Sequence, residues 1–345
     1  MINTAPGIVS IIYAFFIAPL VNDWLGRKRS IILAAVFNMI GAFIMTFSPN
    51  VAAFIVGRSI VTLSVSQGSN SGPLLVSEVA LPHIRGRLIS FWQMFWSFGA
   101  IQAAGICLGT SYYPNLGNWQ WKIPSLLQLV TPLTICVTIL FCPESPRWLV
   151  AQDRVEEARA SLARVRPEEE VDEELKRVQG AVLYEKEITS GRYKQWFVNK
   201  SYSRRLLIVF FLYLGQQLGG QGVLTQYSGL VYQEVFNSST TDILLNFLNW
   251  TLAVLYVLPA TFYVDKIGRR PLLLTGAVGQ ALSMFLVATV VTQAPRHSDG
   301  SYTYGVGVSS VVFVFLYNLF YQSSWGCSTW VVSLTTVELH HPIAL

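Results

Sequence analysis

Two short strings, Asp23-Trp-Leu-Gly-Arg-Lys-Arg29 and Asp265-Lys-Ile-Gly-Arg-Arg-Pro271, carry most of the information about the fold of this chain. Each string lies between two long apolar stretches, and the acid, the glycine and the cations recur in the same order. Glycine permits a tight reversal at a helix end, and cations beside an apolar span favour the cytoplasmic side of a membrane. A charged turn that recurs between apolar spans predicts two related halves of a membrane protein.

The composition also indicates lipid as the surrounding medium. About 52% of the residues are hydrophobic and only 12% are charged, whereas soluble domains carry roughly 25% charged residues. The net charge of +5 comes from short cationic clusters beside apolar spans, so we expect no nucleic-acid partner. The four cysteines show neither a C-x-x-C spacing nor a histidine partner at zinc spacing. We therefore expect no metal and no cofactor.

Nine apolar runs are long enough for the roughly 20 residues that a helix needs to cross a bilayer. They are residues 2–22, 30–48, 51–77, 88–109, 123–142, 205–233, 243–264, 271–293 and 305–337. We expect an all-α membrane protein with an N-terminal bundle over residues 1–142, a cytoplasmic linker over 143–203 and a C-terminal bundle over 204–345. Cationic clusters fall in alternate loops, which places those loops and the linker in the cytoplasm.

The linker differs from the rest of the chain in composition. Residues 153–164 and 168–177 have the alternating charges of two amphipathic helices, and Pro167 separates them. The pattern favours a bar of helices that joins the two bundles over a solvated connecting segment.

Further strings show a resemblance to a known family. They are Gly57-Arg58 followed by Glu78-Val-Ala-Leu-Pro-His-Ile-Arg85-Gly86, then Pro143-Glu-Ser-Pro-Arg147-Trp-Leu149, and Gly215-Gln-Gln-Leu-Gly-Gly-Gln221-Gly. Together with the charged turns they resemble the sugar-porter family of the major facilitator superfamily, most closely its fungal lactose-permease-like and hexose carriers. Family members have twelve helices in two bundles. The resemblance implies that the nine runs are helices two to ten, with the first and the last two absent.

The resemblance implies transport of a sugar, a hexose or a disaccharide, across the plasma membrane by alternating access. The acid that carries the proton in coupled members belongs to the first helix, so the sequence does not decide between proton symport and facilitated diffusion. Two alternatives remain, a sugar sensor that does not transport and an inactive truncated transporter. No motif of an enzyme site is present, so we expect no enzymatic activity.

Sugar recognition needs side chains that both donate and accept hydrogen bonds, and aromatic faces for the apolar side of the ring. Amides within a membrane span are costly unless they are paired, so their presence there requires an explanation. The candidate substrate-binding residues are Gln93, Gln216, Gln217, Gln221, Tyr227, Asn249, Trp325 and Trp330. The alternative is that the amides only join helices and that the two tryptophans only pack.

A second set of candidates is charged and lies at the cytoplasmic ends of the spans. In the family such residues form interhelical pairs that hold the cytoplasmic side shut. The candidates are Asp23, Arg27, Arg58, Glu78, Arg85, Glu144, Arg147, Asp265, Arg269, Arg270 and Glu338. The alternative is that these are ordinary juxtamembrane charges that set only the orientation of the spans.

Overall fold

The computed structural model describes residues 4–188, 200–222, 224, 239–293, 304–330 and 332. This part of the chain is helical throughout, with short turns and no strand. The helices are α1 (Thr4–Ile12), α2 (Ala18–Leu25), α3 (Arg27–Thr46), α4 (Val51–Val79), α5 (Pro82–Ser111), α6 (Trp119–Leu127), α7 (Val130–Thr138), α8 (Pro146–Ala151), α9 (Val155–Ala163), α10 (Glu168–Ile188), α11 (Lys200–Leu218), α12 (Ser239–Ile267), α13 (Arg269–Gln293) and α14 (Tyr304–Phe320). Wider π-helical turns join α1 to α2 over Tyr13–Ile17 and follow α14 over Tyr321–Gly326.

Seven segments of the described chain are long and apolar enough to cross a membrane. They are Thr4–Leu25, Arg27–Thr46, Val51–Val79, Trp119–Phe141, Thr241–Pro259, Arg269–Gln293 and Gly305–Trp330. The sequence predicts two more. Residues 88–109 do form a helix within α5, but this helix is not among the seven candidate spans. The run at 205–233 begins in α11 and continues outside the described residues.

The two copies of the charged turn have the same backbone. Gly26 separates α2 from α3 and Gly268 separates α12 from α13, each with a φ of +86°. That region of φ is open to glycine and strained for residues with a side chain. The glycine predicted to reverse the chain at each turn is therefore confirmed.

The chain divides into two compact units, and each has its own packing. The first contains Met1–Arg85 and Pro114–Arg192, and the second contains Gly86–Tyr113 and Tyr193–Leu345. Residues 86–113 thus group with the C-terminal half, because Gly105 packs on the ring of Phe247 and Gln93 bonds Gln322. The division at 142 and 203 expected from the sequence stays a prediction.

In the first unit, α3 and α4 approach closely through two glycines. A Cβ atom on Gly41 would lie 2.8 Å from the carbonyl oxygen of Gly57, and one on Gly57 would lie 2.8 Å from Met45. Small residues let helix backbones meet inside a membrane, where van der Waals packing drives association. This contact fixes α4, which carries Glu78 near its C-terminal end.

The linker contains three helices that share one apolar core. Residues of α8, α9 and α10 form it, namely Trp148, Leu149, Val150, Ala158, Leu162, Val171, Leu175 and Val182. The helices α9 and α10 lie where the charge pattern predicts them, with Pro167 between them. A solvated connecting segment would not bury such a core, so the helical interpretation of residues 146–188 is the better one.

In the second unit, α13 packs on α14 and on the π-helical turn after it. A Cβ atom on Gly276 would collide with Ser324, and one on Gly279 would collide with the ring of Phe320. A π-helical turn inserts an extra residue and is frequent at functional sites. Here it contains the candidate substrate-binding residue Trp325 and Gln322, which is bonded to the candidate Gln93.

Candidate functional site

The first charged turn is held by a buried ion pair. The guanidinium of Arg27 donates from Nε to Glu78 Oε2 at 2.9 Å and from Nη2 to Oε1 at 3.0 Å. The two side chains are only 11% and 5% exposed. A two-point arginine–carboxylate pair is among the stronger charge-assisted contacts. It fixes the start of α3 to the C-terminal end of α4.

A second carboxylate caps the same turn from the linker side. Glu144 Oε1 accepts the backbone N–H of Arg27 at 3.1 Å and that of Lys28 at 3.0 Å. Helix N-terminal N–H groups lack partners inside the helix and attract negative charge. The indole N–H of Trp148 also donates to the carbonyl of Asp23 at 2.8 Å. The linker therefore holds both ends of the turn.

The other charged candidates lie at further helix ends and in the linker. Arg58 makes no ion pair within the described part of the chain, and Arg270 is exposed at the start of α13. The side chains of Asp23, Arg85, Arg147 and Arg269 are partly buried at helix ends or in the linker. The side chain of Asp265 and all of Glu338 lie outside what the structure describes. Among the charged candidates, Arg27, Glu78 and Glu144 meet at the first charged turn.

The amides of the second unit form hydrogen bonds between helices. Gln93 Nε2, on α5, donates to Oε1 of Gln322 at 3.0 Å. Gln216 Nε2, on α11, donates to Thr329 Oγ1 at 3.0 Å and more weakly to the carbonyl of Trp325 at 3.4 Å. Both amides are therefore bonded to the segment that contains the π-helical turn.

Gln217 and Gln221 differ from Gln216 in exposure. The side chain of Gln217 is exposed, whereas Gln216 is buried and Gln221 is partly buried. Neighbouring positions on a helix point in different directions, so the pair Gln216–Gln217 presents one amide to a neighbouring helix and one outward. Of the three, Gln217 is the most accessible to a ligand.

A second pair of hydrogen-bonded side-chain amides lies beside a small space in the second unit. Asn318 Nδ2 donates to Asn249 Oδ1 at 3.0 Å. The space measures about 20 Å³, and its lining includes Gln221, Asn246, Asn249, Trp250 and Asn318. That volume holds about one water molecule. A sugar needs much more room, so these amides contact one only if the helices around them move.

The two candidate tryptophans both pack in this unit. The indole N–H of Trp325 donates to the carbonyl of Leu273 at 3.0 Å, and its ring covers Gly215. The ring of Trp330 lies 6.3 Å from that of Trp92 and 6.0 Å from that of Tyr213. Both indoles remain partly exposed. Tyr227 lies outside the described residues.

Sequence reasoning missed three partners of the predicted residues. Gln322, Thr329 and Asn318 bond Gln93, Gln216 and Asn249 respectively. The signal that could have found them is the number of polar side chains in the run 305–337, which exceeds what a lipid-facing helix tolerates.

Comparison with known proteins identifies the class and then the family. Solved structures of the proton:xylose symporter XylE, of the major facilitator superfamily, superimpose with a TM-score of 0.82 over 95% of this chain and 70% of that one, at 23% identity. An inward-open form of XylE from E. coli gives a TM-score of 0.70 at 24% identity. The fold is therefore that of the major facilitator superfamily.

The sequence itself matches the profile of a family described as "Sugar (and other) transporter" over residues 4–339. The chain belongs to this family, which makes it a multi-pass membrane protein. Its relatives include a probable quinate permease of Aspergillus flavus, 30% identical over 93% of this chain and 62% of the relative. The hexose transporter HXT13 of Saccharomyces cerevisiae is 30% identical over 90% of this chain and 56% of its own length. The chain thus spans about 62% of the quinate permease that it matches.

Proposed function

We propose that this protein moves a neutral sugar, a hexose or a disaccharide, across the plasma membrane by alternating access. The observation that carries the proposal is the set of amides in the second unit. Gln93, Gln216 and Asn249 each bond a polar residue of the segment 318–329, and Gln217 is exposed beside them. Amides donate and accept at once, as sugar hydroxyls require of their partners.

The charge of this set favours a sugar over an anion. The residues that form the amide contacts and line the adjoining space are all neutral. An anionic substrate such as quinate would be desolvated there with no described cation to balance its charge, which is unfavourable. One relative is a hexose transporter, in agreement with a neutral substrate.

The buried pair of Arg27 and Glu78 supports a carrier rather than a rigid helical bundle. Such a pair contributes little net stability to the folded protein. Removal of one partner nevertheless costs several kcal/mol of stability, because the other charge is left without compensation. The pair therefore suits a contact that forms in one state of a carrier and opens in another. We propose that it belongs to the cytoplasmic gate, together with Glu144.

Ligand binding to the purified protein tests the substrate class. Glucose, a glucose disaccharide and quinate are each titrated against the protein in detergent by calorimetry. We expect saturable binding of a sugar and at least tenfold weaker binding of quinate. Binding of quinate alone would contradict the proposed substrate, and binding of none of the ligands by folded protein would contradict the site.

A further inference from the structure

The first unit contains a cavity that the transport proposal does not use. It has a volume of about 450 Å³ and lies between the start of α3, the end of the span Trp119–Phe141 and the linker helices α8 and α9. Its ionic lining consists of Lys28, Arg29, Arg154, Arg164, Glu144 and Glu157. The volume is in the range of small-molecule sites, roughly 300–1,000 Å³.

The two carboxylates of the cavity are already engaged. Glu144 accepts the backbone N–H groups at the start of α3. Glu157 binds Arg154 through two hydrogen bonds, at 2.7 and 2.6 Å. Glu157 balances the charge of Arg154, and Glu144 offsets one of the other three cations, so the four cations and two carboxylates of the lining leave a net charge of +2.

Lys28, Arg29 and Arg164 form no ion pair with a carboxylate in the part of the chain that the structure describes. The ammonium of Lys28 donates to the carbonyls of Leu140 at 2.9 Å and Cys142 at 3.0 Å, neither of which carries a full charge. Arg29 and Arg164 are exposed, and neither forms an ion pair with any residue that the structure describes. The cavity therefore presents positive charge to an anion.

One wall of the cavity is apolar and reaches the membrane-facing surface. Leu140 lines the cavity and is 60% exposed, and the adjacent Phe141 is 81% exposed. Both end a candidate span, while Arg29 stands in the first turn of another. Exposed apolar side chains at the end of a span are covered by lipid chains, and cations at the same level meet the headgroups. The cavity thus combines the two surfaces that an amphipathic anion requires.

We propose that this cavity binds an anionic phospholipid of the cytoplasmic leaflet. The phosphate lies against Arg29 and Arg164, and an acyl chain follows Leu140 and Phe141. Anionic lipids are concentrated in that leaflet, and basic pockets beside membrane helices bind their headgroups. The apolar wall favours a lipid over a free phosphate, which has no apolar part. The inference is independent of whether the protein carries a sugar.

A titration of the purified chain in detergent tests the lipid site. The probe is dioctanoyl phosphatidylserine, followed by calorimetry, with dioctanoyl phosphatidylcholine and inorganic phosphate in parallel. We expect saturable binding of the serine lipid, at least tenfold weaker binding of the choline lipid, and no competition from millimolar phosphate. Each juxtamembrane cation removed weakens anionic-lipid binding several-fold, so the double variant Arg29→Gln, Arg164→Gln should lose at least tenfold.

A second double variant controls for the loss of charge. Lys176 and Arg177 are exposed cations of α10 that do not line the cavity, so Lys176→Gln, Arg177→Gln changes the net charge equally. We expect it to bind the serine lipid as the unaltered chain does. Equal affinity of the cavity variant and the unaltered chain, both with unchanged thermal unfolding, would overturn the proposal. Inorganic phosphate that binds as tightly as the lipid would overturn the assignment to a lipid.

Discussion

Gly26 and Gly268 have the same backbone φ of +86° and occupy the same place in the two copies of the charged turn. Their surroundings differ. A Cβ atom on Gly26 would lie 2.8 Å from Glu144 Oε2 and 3.2 Å from the ring of Trp148, whereas one on Gly268 would meet, among the described side chains, only Pro271, at 4.0 Å. The two turns of the repeat therefore share a backbone φ that disfavours a side chain, but a Cβ atom would have closer described neighbours at Gly26 than at Gly268.

Substitution of each glycine by alanine should separate the cost of the backbone conformation from the cost of the contacts of the added Cβ atom. Gly268→Ala should cost about 1–2 kcal/mol, the usual penalty of a left-handed backbone for a residue with a Cβ atom. Gly26→Ala should cost more, because Glu144 must also move away from the start of α3. Thermal unfolding of the purified variants measures both, and equal losses would show that Glu144 is not held where the structure places it.

The ion pair of Arg27 and Glu78 should be sensitive to the loss of one partner. Arg27→Ala leaves the carboxylate buried and uncompensated, so unfolding stability should fall by about 3–5 kcal/mol. Arg27→Lys keeps the charge but loses the second hydrogen bond. Its unfolding stability should therefore lie between that of the unaltered chain and that of Arg27→Ala.

An exposed pair of the linker is the matched control. Arg177 and Glu173 are 58% and 71% exposed, and such pairs contribute about 0–1 kcal/mol. Arg177→Ala should therefore change the free energy of unfolding, measured with a chemical denaturant, only slightly. A loss from Arg27→Ala as small as the loss from Arg177→Ala would show that the buried pair is not held in the native protein.

The amides Gln216 and Gln217 should respond differently to alanine. Gln216→Ala removes the bond that buried Thr329 Oγ1 accepts while this hydroxyl still donates to the carbonyl of Trp325, so stability should fall by about 0.5–1.5 kcal/mol. Gln217→Ala removes an exposed amide, so stability should change little while sugar affinity falls about two- to tenfold. Calorimetric titration with sugar measures the affinity of each variant, and thermal unfolding measures its stability, so the two measurements together distinguish the two roles. A Gln217 variant with unaltered affinity would remove this residue from the proposed site.

The unfolding stability of the linker should depend slightly on pH in the acid range. The hydrogen bond from Arg159, and then its charge, lower the pKa of Asp172 from its usual 3.8. A carboxylate with a lowered pKa stabilises the folded state above its unfolded pKa, and this contribution is lost as the pH falls through the folded pKa. The chain should therefore exceed Asp172→Asn in stability at pH 6, and the difference should begin to shrink near pH 3.8 and decrease further as the pH falls through the lowered pKa of the folded state. A difference that stays the same as the pH falls would exclude the pair as its source.

Local features of this fold were predictable and tertiary partners were not. The glycine of each charged turn and the helix boundary at Pro167 follow from the sequence, since backbone freedom and helix breaking are local properties. The position of Gln322 was not predictable, because a π-helical turn depends on packing that no periodicity reveals. The grouping of α5 with the second unit likewise depends on contacts with distant residues such as Phe247.

Sugar uptake is the most direct test of the central claim. The protein encoded by the complete transcript is expressed in cells that lack their own sugar carriers, and surface expression is confirmed. Radiolabelled hexoses and disaccharides are supplied with and without a protonophore, which separates proton symport from facilitated diffusion. We predict saturable uptake of at least one sugar, reduced by Gln217→Ala and by Arg27→Ala at equal surface expression. Surface-expressed protein that takes up none of these sugars would contradict the account.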